Sequence, residues 1–109
     1  MEKPKILLVD DLTENLVSLE MILGDFDAEL TRATSGAEAL RKTLHQEFAV
    51  AILDVQMPGM DGYETLSLMR KRKKTRYLPV IFVSAIQQSE LHIIKGIETG
   101  AVDFIPKPI

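Results

Sequence analysis

Residues 49–59 read Ala49-Val50-Ala51-Ile52-Leu53-Asp54-Val55-Gln56-Met57-Pro58-Gly59: an apolar run, a carboxylate, and a break at Pro-Gly. An apolar run without polar alternation predicts a strand buried on both faces, the habit of parallel sheets covered by helices. Asp54 then sits at the carboxyl end of a central strand, where open α/β sheets bind their ligands. Taken alone, Asp54 is equally a polar stop before a turn. The other strand ends decide between the two.

The 109 residues fit a single domain, read over residues 1–109. A hydrophobic content of 46% with 27% charged residues describes a core-and-surface protein and not a disordered one. The net charge of −3 gives no general attraction to nucleic acid or to an anionic membrane. Cysteine is absent, which excludes disulfides and thiolate metal sites. The start, Met1-Glu2-Lys3-Pro4-Lys5, has no signal-peptide architecture, and no apolar run approaches the roughly 20 residues of a membrane span. The expectation is a cytoplasmic α/β domain with no membrane contact.

Working outward, residues 5–10 form a second apolar run, ending in the pair Asp10-Asp11. Leu12, Leu16, Leu19, Ile22 and Leu23 follow at helical spacing, closing at Gly24. Residues 28–33 alternate as an edge strand would. Ser35 and Glu38 have capping-box spacing, and Ala39, Leu40 and Leu44 are the expected buried stripe of the helix they open. Asp61 and Glu64 cap another helix, with Tyr63, Leu66 and Met69 inward. That helix runs into the basic segment Arg70-Lys71-Arg72-Lys73-Lys74-Thr75-Arg76. Such a segment could touch nucleic acid, but cations also favour a helix C-terminus, and the acidic balance elsewhere favours the second reading. Residues 78–84 are a third strong strand ending in Ser84; Leu91, Ile94 and Ile97 mark a further helix stopped at Gly100, and residues 101–105 a fifth strand. Strand–helix alternation with helical crossovers predicts a parallel sheet with helices on both faces. The sequence stops just after the fifth strand, where a closing helix is expected, so it reads as part of a longer protein with one sheet face partly open.

All carboxyl ends of a parallel sheet lie on one edge. Here they bring Asp10, Asp11, Asp54, Ser84 and Lys107 together. Crowded carboxylates recruit a cation, and the oxygen-rich set suits Mg²⁺, with Mn²⁺ as an alternative. Missing cysteines, and histidines placed in helices away from this edge, argue against Zn²⁺. Three carboxylates, a divalent cation and Lys107 sum near zero, which leaves room for a phosphoryl group once a carboxylate becomes its nucleophile. Singly, Lys107 reads as a surface lysine and Ser84 as a turn residue; it is their joint appearance that carries weight.

The motifs Ile6-Leu7-Leu8-Val9-Asp10-Asp11, Leu53-Asp54-Val55-Gln56-Met57-Pro58-Gly59-Met60-Asp61-Gly62, Val80-Ile81-Phe82-Val83-Ser84-Ala85 and Gly100-Ala101-Val102-Asp103-Phe104-Ile105-Pro106-Lys107-Pro108 together resemble the receiver domain of two-component response regulators. The resemblance covers essentially the whole chain. It implies a flavodoxin-like three-layer sandwich with a five-stranded parallel sheet of order 2-1-3-4-5, the order of chemotaxis receivers. It further implies that Asp54 accepts a phosphoryl group from a histidine kinase or histidine phosphotransfer protein. Asp11, Asp54 and the Gln56 backbone carbonyl would bind Mg²⁺ directly, and Asp10 through water. Lys107, Ser84 and the Ala85 backbone N–H would hold the phosphoryl group, with Ser84 and Phe104 moving as a switch. On the residues alone, Phe104 is equally an ordinary half-buried aromatic. The resemblance also implies that Gln56 and Ile86 occupy positions that, in the family, tune the lifetime of the aspartyl phosphate, and a bulky apolar Ile86 is expected to lengthen it.

The implied role is a cytoplasmic regulatory module, not a metabolic enzyme, working with an output domain or partner protein and with homodimerisation open. An aspartyl-nucleophile phosphatase would need an acid/base two residues after the nucleophile, where Gln56 stands. A docking module that is never phosphorylated is the third reading. No glycine-rich phosphate loop follows the first strand, which disfavours nucleotide folds.

Overall fold

The computed structural model describes residues 3–84, 100, 101 and 103–106. Five strands, β1 (Lys5–Val9), β2 (Glu29–Ala33), β3 (Val50–Asp54), β4 (Val80–Ser84) and β5 (Asp103–Pro106), form one sheet of order β2-β1-β3-β4-β5. All four pairings are parallel. Helix α1 (Thr13–Leu23) packs on one face, and α2 (Gly36–His45) and α3 (Gly62–Lys71) on the other. This is the expected doubly wound, flavodoxin-like arrangement, with the chain reversing direction across the sheet between β1 and β3. The helix expected around Leu91, Ile94 and Ile97 lies outside the described residues.

Alternation along each strand divides the core in two. Leu7, Val9, Ala51, Leu53, Val80 and Phe82 pack with Ala39 and Leu40 of α2 and with Tyr63, Leu66 and Met69 of α3. On the other side Leu8 meets Leu16 and Leu19 of α1, flanked by the partly buried Ile6, Leu23, Leu30 and Ile52. Burying a full leucine side chain such as Leu53 or Leu66 stabilises by roughly 1.5–3 kcal/mol. Among the described residues, no helix is long and apolar enough to cross a membrane.

Helix starts follow the sequence signals. Ser35 Oγ accepts from the Glu38 N–H at 3.0 Å, and Glu38 reaches back to the Thr34 N–H at 2.9 Å. Asp61 Oδ1 accepts from the Glu64 N–H at 2.8 Å. The stripes need two corrections. Leu44 is 52% exposed, and the inward residue is Thr43, because Gly36, Ala39, Leu40 and Thr43 keep the i, i+3, i+4, i+7 spacing. In α1 the inward face is Leu16, Leu19 and Leu23, leaving Leu12 and Ile22 on the flanks, each 48% exposed. Gly24 does end α1 but keeps ordinary right-handed dihedrals, so its conformational freedom is not used there.

The basic segment closes other elements. Arg72 Nη1 donates to the Leu40 carbonyl at 3.0 Å and Lys74 Nζ to the Leu44 carbonyl at 2.9 Å. The Leu44 carbonyl lies in the last turn of α2, whose C-terminal end attracts cations, while Leu40 is mid-helix.

Candidate functional site

The carboxyl edge of the sheet carries the site. β1 and β3 are neighbours with Val9 paired to Leu53, so Asp10 and Asp54, each next along its strand, stand side by side. Oxygen atoms from Asp10, Asp11 and Asp54 all lie within 4.8 Å of one another. Asp10 is 1% and Asp54 4% exposed, with Asp11 half-buried at the opening. Two like charges at 4–5 Å with an effective dielectric near 20 repel by about 3–4 kcal/mol. A carboxylate cluster this tight is suited to a hard divalent cation.

Local structure fixes the Asp10 carboxylate. The Asp10 N–H donates to the Ala33 carbonyl at 3.1 Å, continuing the β1–β2 ladder one residue past the strand. Asp10 Oδ1 accepts from the Leu12 N–H at 3.0 Å and from Asn15 Nδ2 at 3.3 Å. The carboxylate thus sits against the N-terminus of α1, whose dipole favours negative charge. Asn15 was not among the expected site residues; its placement in the first turn after the acidic pair was the available signal.

Beyond Asp54 the chain alternates inward at Val55 and Met57, both buried, and outward at Gln56, which is exposed. It turns at Gly59, where φ is +73°, a region that glycine enters without strain. The Gly62 N–H then donates to the Val55 carbonyl at 2.8 Å. A Cβ on Gly62 would collide with the Asp54 carbonyl oxygen and reach 2.9 Å from Val55 Cα. Gly62 therefore lets α3 begin hard against the strand end that presents Asp54. The sequence shows Gly62 as the residue after a cap and the last residue of the motif that starts at Leu53, not as a packing contact of Asp54.

On the other flank the Val55 N–H donates to the Val83 carbonyl at 3.1 Å, which carries the β3–β4 pairing up to the buried Ser84. Phe104 is half-buried, its ring 6.0 Å from that of Phe82, which in turn lies 5.0 Å from Tyr63, both edge-on. Burial and the neighbouring Asp61 push the Tyr63 hydroxyl pKa upward. Among the expected site residues, Asp10, Asp11, Asp54, Gln56, Ser84 and Phe104 are placed on this edge or directly behind it. Ala85, Ile86 and Lys107 lie outside the described residues.

The sequence matches the family model for the response regulator receiver domain over residues 6–109. It is 36% identical over 105 residues to the response regulator PleD of Caulobacter vibrioides, covering 96% of this chain but 23% of PleD. It is 41% identical to a CpxR-type transcriptional regulatory protein of Haemophilus influenzae, covering 95% of this chain and 44% of that protein. The chain thus spans less than half the length of these relatives. Among solved structures, the chemotaxis protein CheY4 of Vibrio cholerae superposes with a TM-score of 0.92 at 30% identity, covering 99% of this chain and 89% of that one. The acidic edge, the strand order and these matches agree: the chain belongs to the response regulator receiver domain family of two-component signalling.

Proposed function

We propose that Asp54 is the phosphoacceptor of this receiver, taking a phosphoryl group from a histidine kinase or histidine phosphotransfer protein. The observation that carries the reading is the convergence of the Asp10, Asp11 and Asp54 oxygens within 4.8 Å at the end of the central strand. An Asp54 carboxylate oxygen attacks phosphorus, the phosphorus–nitrogen bond of the donor phosphohistidine breaks, and its electron pair returns to the imidazole, which takes up a proton. Mg²⁺, or Mn²⁺ in its place, neutralises charge on the phosphoryl oxygens when bound. Asp11, Asp54 and the Gln56 carbonyl would hold it, with Asp10 acting through water. Asp10 stays oriented by Leu12 and Asn15 while it does so.

Lys107, Ser84 and the Ala85 N–H would bind the phosphoryl oxygens. Ser84 moving toward the phosphate, with Phe104 following behind it, would change the surface read by an output domain, a partner protein or a second copy. Gln56 and Ile86 would set how long the acyl phosphate survives. The module is regulatory: the exposed Gln56 amide, two residues past the nucleophile, cannot transfer protons as a dedicated phosphatase requires.

Intact mass after incubation with acetyl phosphate tests the reading. One phosphoryl group gained only with Mg²⁺, and lost in Asp54→Ala, is the expected result. No gain despite Mg²⁺ binding would favour a docking module that keeps the site without using it.

A further inference from the structure

Helix α3 touches the Asp54 strand end through Gly62, packs on β4 through Tyr63, and bonds Gly100, three residues before β5, through Arg70. Gly62 is bonded to Val55 and packed on the Asp54 carbonyl. One residue on, the Tyr63 ring contacts Phe82, which contacts Phe104 on β5. At the far end, Arg70 Nη2 donates to the Gly100 carbonyl at 2.9 Å and Nη1 to the Thr75 carbonyl at 3.1 Å. Gly100 has φ +93°, and a Cβ there would lie 3.1 Å from Arg70 Nε. The guanidinium is therefore seated on a backbone shape that favours glycine. Arg70 is half-buried, and desolvation pushes its pKa down. Among the described residues β5 is an edge strand of four residues paired only to β4, so a contact at Gly100, three residues before it, matters for its order.

We propose that Arg70 is a positioning residue for the switch strand: its two-pronged seat on Gly100 and Thr75 makes α3 a strut between Asp54 and Phe104. The proposal rests on Asp54 being the phosphoacceptor. A ten-residue helix spans about 15 Å and moves as a unit, so a shift where Gly62 meets Asp54 appears both at Phe82, the neighbour of Phe104, and at Gly100. Coupling of this kind is reciprocal: if loading Asp54 orders β5, disordering β5 weakens loading of Asp54. Lysine cannot replace the fork, because one ammonium on a flexible stem does not hold two carbonyls in fixed geometry.

The test loads wild type, Arg70→Gln, Arg70→Lys and Arg72→Gln with Mg²⁺ and then beryllofluoride, a phosphoryl stand-in that seats on a carboxylate. Arg72 is the control, since it bonds α2 instead of the β5 region. Both Arg70 variants are expected to bind beryllofluoride about fivefold or more weakly, with Mg²⁺ affinity unchanged. Their amides at residues 103–105 should exchange about tenfold faster, and Arg72→Gln should move neither reading. Arg70→Lys keeps the charge and stem, so it reports even if Arg70→Gln unfolds. Wild type binding beryllofluoride while both Arg70 variants bind it equally well overturns the strut and leaves the phosphoacceptor standing. Wild type failing to bind it overturns both.

Discussion

Gly62 lies so close to the backbone carbonyl of Asp54 that no side chain can be added there without moving one backbone or the other. The obstacle is backbone, not the tip of a flexible side chain, so relaxation must displace either β3 or the start of α3. Gly62→Ala is expected to destabilise the fold by about 1–3 kcal/mol, the usual cost of overpacking. Urea unfolding would read the loss. Because the displaced atoms belong to Asp54 and Val55, Mg²⁺ affinity should fall with it.

Asp11 is half-exposed at the mouth of the acidic cluster and contributes one of three crowded charges. Without metal, Asp11→Asn relieves repulsion, and screening at this exposed position limits the gain to about 0.5–1 kcal/mol. With saturating Mg²⁺ the order reverses, since wild type gains stability in proportion to RT ln(1 + [L]/Kd) and the variant gains far less. Thermal melts with and without Mg²⁺ should cross in this way. Equal Mg²⁺ stabilisation of both proteins would exclude Asp11 as a ligand.

Asp61 tests whether any nearby acid would serve. Its carboxylate caps α3 through the Glu64 N–H and does not belong to the three-carboxylate cluster. Asp61→Ala should cost about 0.5–2 kcal/mol, as lost N-caps do, and leave Mg²⁺ affinity unchanged by titration.

Glu20 and Arg32 join α1 to β2 through two hydrogen bonds, one of them Arg32 Nε to Glu20 Oε2 at 2.8 Å. The bond to Arg32 holds the Glu20 pKa below its ordinary 4.5. A depressed folded-state pKa gives stability that is present above the unfolded value and lost as pH falls through the folded one. The pair is largely solvent-exposed, so the contribution is small. Comparing urea midpoints of wild type and Glu20→Gln, the difference should be present at pH 6 and vanish as pH drops below 4.5.

The strands and the acidic edge were legible in the sequence because they depend on local pattern, whereas the strand order followed from the resemblance to receiver domains. Apolar runs ended in Asp10, Asp54 and Ser84, and a parallel sheet has only one carboxyl edge. What was not legible depends on how helices approach one another. Leu44 and Thr43 are neighbours in sequence, and the rotation of α2 against α3 sends Thr43 inward, its hydroxyl donating to the Leu40 carbonyl at 2.8 Å. Arg72 and Lys74 read as the charged end of α3, yet their partners are carbonyls of α2 some 30 residues earlier in the chain. Gly62 read as part of a helix start; its contact with Asp54 exists only once β3 and α3 are packed.

The most direct test of the central claim is to find which side chain carries the phosphoryl group. Treating the acetyl phosphate-loaded protein with borohydride reduces an acyl phosphate to the alcohol, so peptide mass spectrometry should find homoserine at position 54 and nowhere else. Homoserine at position 10, 11 or 61, or an unreduced phosphate on Ser84, would contradict the assignment of Asp54.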